Sequence, residues 1–161
     1  MRGVRLHGLR PTKLDEIDRK LVALLQDDGR RSLSEMAREV GLSHASVRQR
    51  INRLFDERIV TITAVTHPGT HGYNQSAQIA IRTDHRVTEV SEAVAAMPEV
   101  YYLVTVTGEY DLLAEVMAID TEHLQRLVMA VRAIPGVQST STFPFVRTEK
   151  WIYSPDFTQA E

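Results

Sequence analysis

Ala96-Met97-Pro98-Glu99-Val100 and Ala133-Ile134-Pro135-Gly136-Val137 stand 37 residues apart and match in kind. In each, a proline stops a helical pattern and turns the chain into an extended one. Upstream of the first lies an alternating run, Gln75 to Arg82, then apolar residues at helical spacing: Val87, Val90, Val94 and Met97. Upstream of the second, Asp111 to Ala118 alternates, and Leu124, Leu127, Val128, Val131 and Ile134 recur with the helical period. Downstream, Val100 to Thr107 and Val137 to Phe145 read as strands. The duplicated strand-helix-strand gives β-α-β-β-α-β, a ferredoxin-like αβ-sandwich with four antiparallel strands and both helices on one face. The other sheet face is left uncovered, yet inner and outer strand positions alike, such as Tyr101, Leu103, Leu113 and Val116, are apolar, and an exposed face of that kind calls for a second copy of itself.

The amino-terminal part has a different period. Leu14, Ile17, Leu21, Leu24 and Leu25 form one stripe of a first helix, with Thr12 placed to cap it and Asp27-Asp28-Gly29 to end it. Ser32-Leu33-Ser34-Glu35 is a capping box, opening a short helix with Leu33, Met36, Ala37 and Val40 inward. Gly41 allows a left-handed exit, and Ser43 caps a third helix with Val47, Ile51 and Leu54 inward. The fold class is therefore α+β: a three-helix helix-turn-helix domain, then the sandwich. The expected divisions are a basic arm over 1–11 (with Arg2, Arg5 and Arg10), the helical domain over 12–58, and a linker strand with hinge loop over 59–73. The sandwich follows over 74–153, and a tail over 154–161.

In a helix-turn-helix the second helix of the motif enters the major groove of DNA. At 100° per residue the face opposite Val47, Ile51 and Leu54 carries Ala45, Gln49 and Asn52, flanked by Arg48 and Arg53. Ser43, His44 and Ser46 lie at its amino end. Gln and Asn pair with adenine and Arg with guanine or phosphate, so Ser43, His44, Ser46, Arg48, Gln49, Asn52 and Arg53 are the candidate DNA contacts. Arg50 falls at the core edge of the wheel and is expected to be structural, its head paired with an acid.

Charge supports the division. Residues 1–63 hold 13 Lys/Arg against 9 Asp/Glu, a balance of +4, and the remainder holds 6 against 12, a balance of −6, recovering the overall −2. A basic module that meets polyanions is thus joined to an acidic one with another task.

The chain has no cysteine, which excludes disulfides, zinc-thiolate sites and thiol nucleophiles. Its longest apolar run is about five residues against the roughly 20 of a membrane helix, and the first ten residues lack a signal core. A soluble cytoplasmic protein is expected. No phosphate-cradling glycine loop, Ser-His-Asp arrangement or catalytic carboxylate pair stands out, so neither catalysis nor a cofactor is expected. His67 and His71 flank a turn-rich hinge without a third ligand nearby and read as a solvated loop, not a metal site.

Thr107-Gly108-Glu109-Tyr110-Asp111 joins the two middle strands. Glycine permits close approach, exposed amides can hold a carboxylate, and Asp111 an ammonium, a combination that suits an amino-acid zwitterion. A hairpin turn calls for the same glycine and aspartate, so the loop alone leaves both readings open.

Taken together, Leu14-Asp15-Glu16-Ile17-Asp18-Arg19-Lys20-Leu21, Gly41-Leu42-Ser43, Val47-Arg48-Gln49-Arg50-Ile51-Asn52-Arg53-Leu54, Gly108-Glu109-Tyr110-Asp111, Ile134-Pro135-Gly136-Val137 and Thr140-Ser141-Thr142 resemble the Lrp/AsnC family of transcriptional regulators. The resemblance runs from about Leu14 to Lys150 and implies DNA binding, dimers that often assemble to octamers, and an amino-acid effector held between subunits. By position it implies effector contacts at Gly108, Tyr110 and Asp111, with Thr140 and Thr142 facing them, and it makes Ile59 to Val65 a linker strand paired across the dimer. Two departures stand out. Arg58 replaces a frequent glycine, so that either it accepts a left-handed conformation or the helix ends differently, and Phe143-Pro144-Phe145 interrupts an aliphatic strand, which suits a sheet edge or a bulge. The rival reading is a ferredoxin-like metabolite sensor whose helices bind a protein instead of DNA.

Overall fold

The computed structural model describes residues 13–66 and 68–150. The described chain divides between Val65 and Thr66 into two compact units. The arm over 1–11, His67 and the tail over 154–161 lie outside the described residues.

In the first unit, α1 spans Glu16–Asp27, α2 Leu33–Val40 and α3 His44–Asp56. Their apolar stripes converge: Leu21, Leu25, Met36, Ala37, Val47, Ile51 and Leu54 are buried in one cluster. Each large side chain there is worth about 1.5–3 kcal/mol of burial. Ser32 and Glu35 close the expected capping box, and Ser43 accepts from the Ser46 amide. Thr12 does not lie among the described residues, and the α1 cap is Asp15, which forms a capping box with Asp18. An acidic cap there is favoured by the positive end of the helix dipole.

Two left-handed residues let the chain leave helices. Gly41 has φ 68°, and the Leu42 amide returns to the Ala37 carbonyl. Arg58 has φ 57°, with its own amide bonded to Phe55 O at 3.0 Å and the Ile59 amide to Leu54 O at 2.9 Å. That pair of bonds is a Schellman closure, so Arg58 takes the position where glycine is ordinarily cheapest. Within the single chain residues 59–65 pair with no strand among the described residues, and the pairing expected of them is with the same segment of a second copy. Ile59 and Val60 pack on the helical core, and residues 61–66 pair with no strand among the described residues. β-branched residues favour extension, but a strand exists only where its amides and carbonyls find a neighbouring ladder.

The second unit begins with a 3-10 turn, Pro68–His71. Then come β1 (Gln75–Thr83), α4 (Val87–Ala95), β2 (Val100–Thr105), β3 (Leu112–Ala118), α5 (Thr121–Arg132) and β4 (Val137–Pro144). The sheet order is β2-β3-β1-β4, all antiparallel, as the duplicated pattern requires. One face is closed by the helices: Ala77, Ile79, Ile81, Leu112, Ala114, Val116 and Ala118 are buried against Val90, Val94, Leu124, Leu127 and Val131. Pro144 ends the edge strand β4, where a missing amide is tolerated.

The registers divide the apolar strand positions between the two faces. Leu103 and Val116 belong to the covered face, because the registers Leu103↔Ala114 and Ala77↔Val116 place them beside buried residues. A register shift between Val100 and Tyr102 breaks the alternation there, which simple counting does not anticipate. Leu113 lies on the open face between Val104 and Ala80, and Phe143 and Tyr102 are exposed.

Candidate DNA-reading and ligand-binding sites

The outer face of α3 is built by its core residues. With Val47, Ile51 and Leu54 buried, Ala45, Arg48, Gln49 and Asn52 are exposed. His44 is exposed in the first turn, while the Ser43 and Ser46 hydroxyls hydrogen-bond each other at 2.9 Å. Arg48 makes no ion pair among the described residues.

Arg50 and Arg53 behave differently. Arg50 Nη1 donates to Asp15 Oδ2 at 2.6 Å and to Asp18 Oδ1 at 2.8 Å, which meets its expected structural role. Arg53, expected on the DNA face, donates through Nη2 to Asp18 Oδ2. Asp18 is only 1% exposed, and the sequence reading missed it. Burial pushes its carboxyl up, but the hydrogen bonds from Arg50 and Arg53 win and hold it below the ordinary range. The Asp18 amide and the Arg50 head likewise hold Asp15 down, and both carboxylates raise Arg50. The spacing of Asp15, the cap of α1, and Asp18 in its first turn, opposite two arginines on α3, was the available signal.

The second site lies at the end of β1 and β3. Gly108 has φ 130°, open to glycine and rarely to other residues, and no atom would meet a Cβ there within 4 Å. The loop is tied at three points. The Asp111 amide donates to Ile81 O at 3.0 Å, and Asp111 Oδ2 accepts from the Thr83 amide at 2.7 Å and the Thr83 hydroxyl at 3.1 Å. Arg82 Nε donates to Glu109 O at 3.0 Å. The Tyr110 and Ser141 hydroxyls are 2.7 Å apart. The structure thus brings Tyr110, in the same loop as Gly108 and Asp111, to Ser141, which sequence reasoning passed over. Thr140 and Thr142 are not brought to Tyr110: they pair with Ile81 and Ile79, on the face that the helices cover. Strand alternation dictates this outcome once Ser141 faces the loop. Among the described residues no group of three or more metal-ligating side chains is found.

The profile of the AsnC-type helix-turn-helix domain matches residues 14–54, and that of the Lrp/AsnC ligand binding domain matches residues 76–151. An HTH-type transcriptional regulator of Pyrococcus abyssi is 38% identical over 96% of this chain and 99% of its own. The chain belongs to the Lrp/AsnC family. Among solved structures, the leucine response regulatory protein LrpA of Mycobacterium tuberculosis has TM-score 0.77 and 31% identity, covering 86% of this chain and 96% of that one. The NMB0573/L-Met complex from Neisseria meningitidis shares the fold, at TM-score 0.82 and 24% identity over 91% and 98% of the two chains. As an Lrp/AsnC protein the chain is a helix-turn-helix transcriptional regulator with a ligand-binding domain. Among the described residues, one family segment falls in each of the two compact units. Among the described residues no helix is long and apolar enough to cross a membrane.

Proposed function

We propose that this Lrp/AsnC regulator reads DNA with α3 and takes an amino acid, or a related small metabolite, at the loop from Thr107 to Asp111. Arg48, Gln49 and Asn52 meet base edges, with Ser43, His44 and Ser46 beside the phosphates and Arg53, bound to Asp18, at the border of that face. The observation that carries this reading is the exposed Arg48-Gln49-Asn52 row, unpaired among the described residues, on a helix whose opposite side is fixed in a core. The regulator acts in the cytoplasm, where the DNA is.

In the sheet unit, the backbone around Gly108 accepts the effector carboxylate. Asp111 offers Oδ1 to the ammonium, since Oδ2 is held by Thr83. Tyr110 borders the site, and Thr140 and Thr142 flank Ser141 on the neighbouring strand. LrpA, named for a leucine response, supports an amino acid as the effector class. The open sheet face pairs with a second copy, and the dimers assemble to an octamer, so that effector bound between subunits selects one assembly over another.

Thermal-shift screening of the twenty amino acids tests the effector. A true one raises the melting temperature in proportion to the logarithm of its concentration, and a flat response to all twenty removes the amino-acid reading.

A further inference from the structure

Asp18 cannot touch DNA, because it is 1% exposed, yet it holds cations of the helix proposed to read DNA. On the α3 wheel Arg53 lies only about 40° from Gln49, beside the exposed face. An arginine in that place would find the phosphates that border the groove. Such a contact adds affinity without regard to sequence. Asp15 and Asp18 instead engage both Arg50 and Arg53 in a cluster of two carboxylates and two guanidiniums.

The grip on Arg53 is incomplete. Its Nε is buried without a hydrogen-bond partner, while its side chain is 42% exposed. An unsatisfied buried donor is costly, so once the Asp18 charge is gone the head gains by turning outward.

We infer that Asp18, together with Asp15, is a specificity-determining positioning residue: it holds Arg53 and Arg50 back from the phosphate backbone, leaving the outer face of α3 to decide the sequence. The inference rests on α3 being the DNA-reading helix.

The test uses the full chain, a duplex selected by it from a random pool, and a scrambled duplex. Fluorescence anisotropy is followed over a range of salt for wild type, Asp18→Asn and Asp15→Asn. For Asp18→Asn, affinity for the scrambled duplex should rise several-fold and the selected-to-scrambled ratio should fall. The slope of log K against log salt should steepen by about 0.9 per arginine newly placed on phosphate. Asp15→Asn, which leaves Asp18 in place, should shift the same way by less, and it decides the matter if Asp18→Asn does not fold. In an Arg53→Gln background the steepening caused by Asp18→Asn should shrink, whereas a merely loosened helix would keep it whole. Unchanged slopes, equal losses on both duplexes, or full steepening in that background each overturn the inference while α3 reading stands. Wild type that binds neither duplex in a salt-dependent way overturns both.

Discussion

Asp18 in the helical unit and Asp111 in the sheet unit each turn a carboxylate back onto the fold, but onto different partners. Asp18 meets two guanidiniums, so what it holds is charge. Asp111 meets the Thr83 amide and hydroxyl, so what it holds is neutral geometry, and among the described residues only Oδ2 is engaged. The difference assigns each unit its own sensitivity. Ionic conditions and charge removal act on the helical frame, while the loop of the sheet unit depends on having an acceptor oxygen in one place.

Replacing the acceptor tests that contrast with the largest expected effect. Asp111→Ala strands the Thr83 amide, leaves the Thr83 hydroxyl to Asp84 O alone, and should cost the sheet unit about 1–3 kcal/mol in denaturant unfolding. Asp111→Asn keeps an acceptor oxygen and should stay near wild type in stability while losing effector affinity. Equal destabilisation by both would show that charge, not geometry, holds the loop. In the helical unit, Arg48→Ala should lower the selected-over-scrambled binding ratio about ten-fold or more, the order expected of one base contact of about 1–3 kcal/mol. An unchanged ratio would remove Arg48 from the reading face.

How much of this was readable beforehand follows from distance along the chain. Val47, Ile51 and Leu54, the Ser32 capping box and the two proline turns declare themselves within a few residues, and the sheet order follows from them. The Arg53–Asp18 and Thr83–Asp111 bonds join residues 35 and 28 positions apart, which no local period reveals. Arg50 was recognised as structural from its place on the wheel, but its acids were not, because Asp15 and Asp18 also satisfy a local capping pattern. The linker Ile59 to Val65 is legible only in part: its composition speaks for a strand, while pairing is a property of what a second copy places beside it.

Smaller effects sharpen the contrast. Arg58→Gly relieves a side chain at φ 57° and should stabilise the helical unit by about 1 kcal/mol in thermal melts. A loss of stability would show that the Arg58 side chain makes a contact worth more than the strain. Acid should act mildly on the same unit. Asp15 and Asp18 both have folded pKa values below the ordinary 3.8. Their stabilisation is therefore complete above that value and is lost as pH falls through the lower folded values. Melts between pH 5 and pH 2 should show less acid sensitivity in Asp15→Asn than in wild type, and identical profiles would contradict the clamp.

The claim on which the rest depends is that the exposed row of α3 selects DNA sequence. Selection from a random duplex pool, run with wild type and with the Arg48→Ala, Gln49→Ala, Asn52→Ala triple variant, addresses it directly. Wild type should enrich one motif with two related halves, and the variant should bind in a salt-dependent manner while enriching none. Enrichment of the same motif by both proteins would place sequence reading elsewhere in the chain.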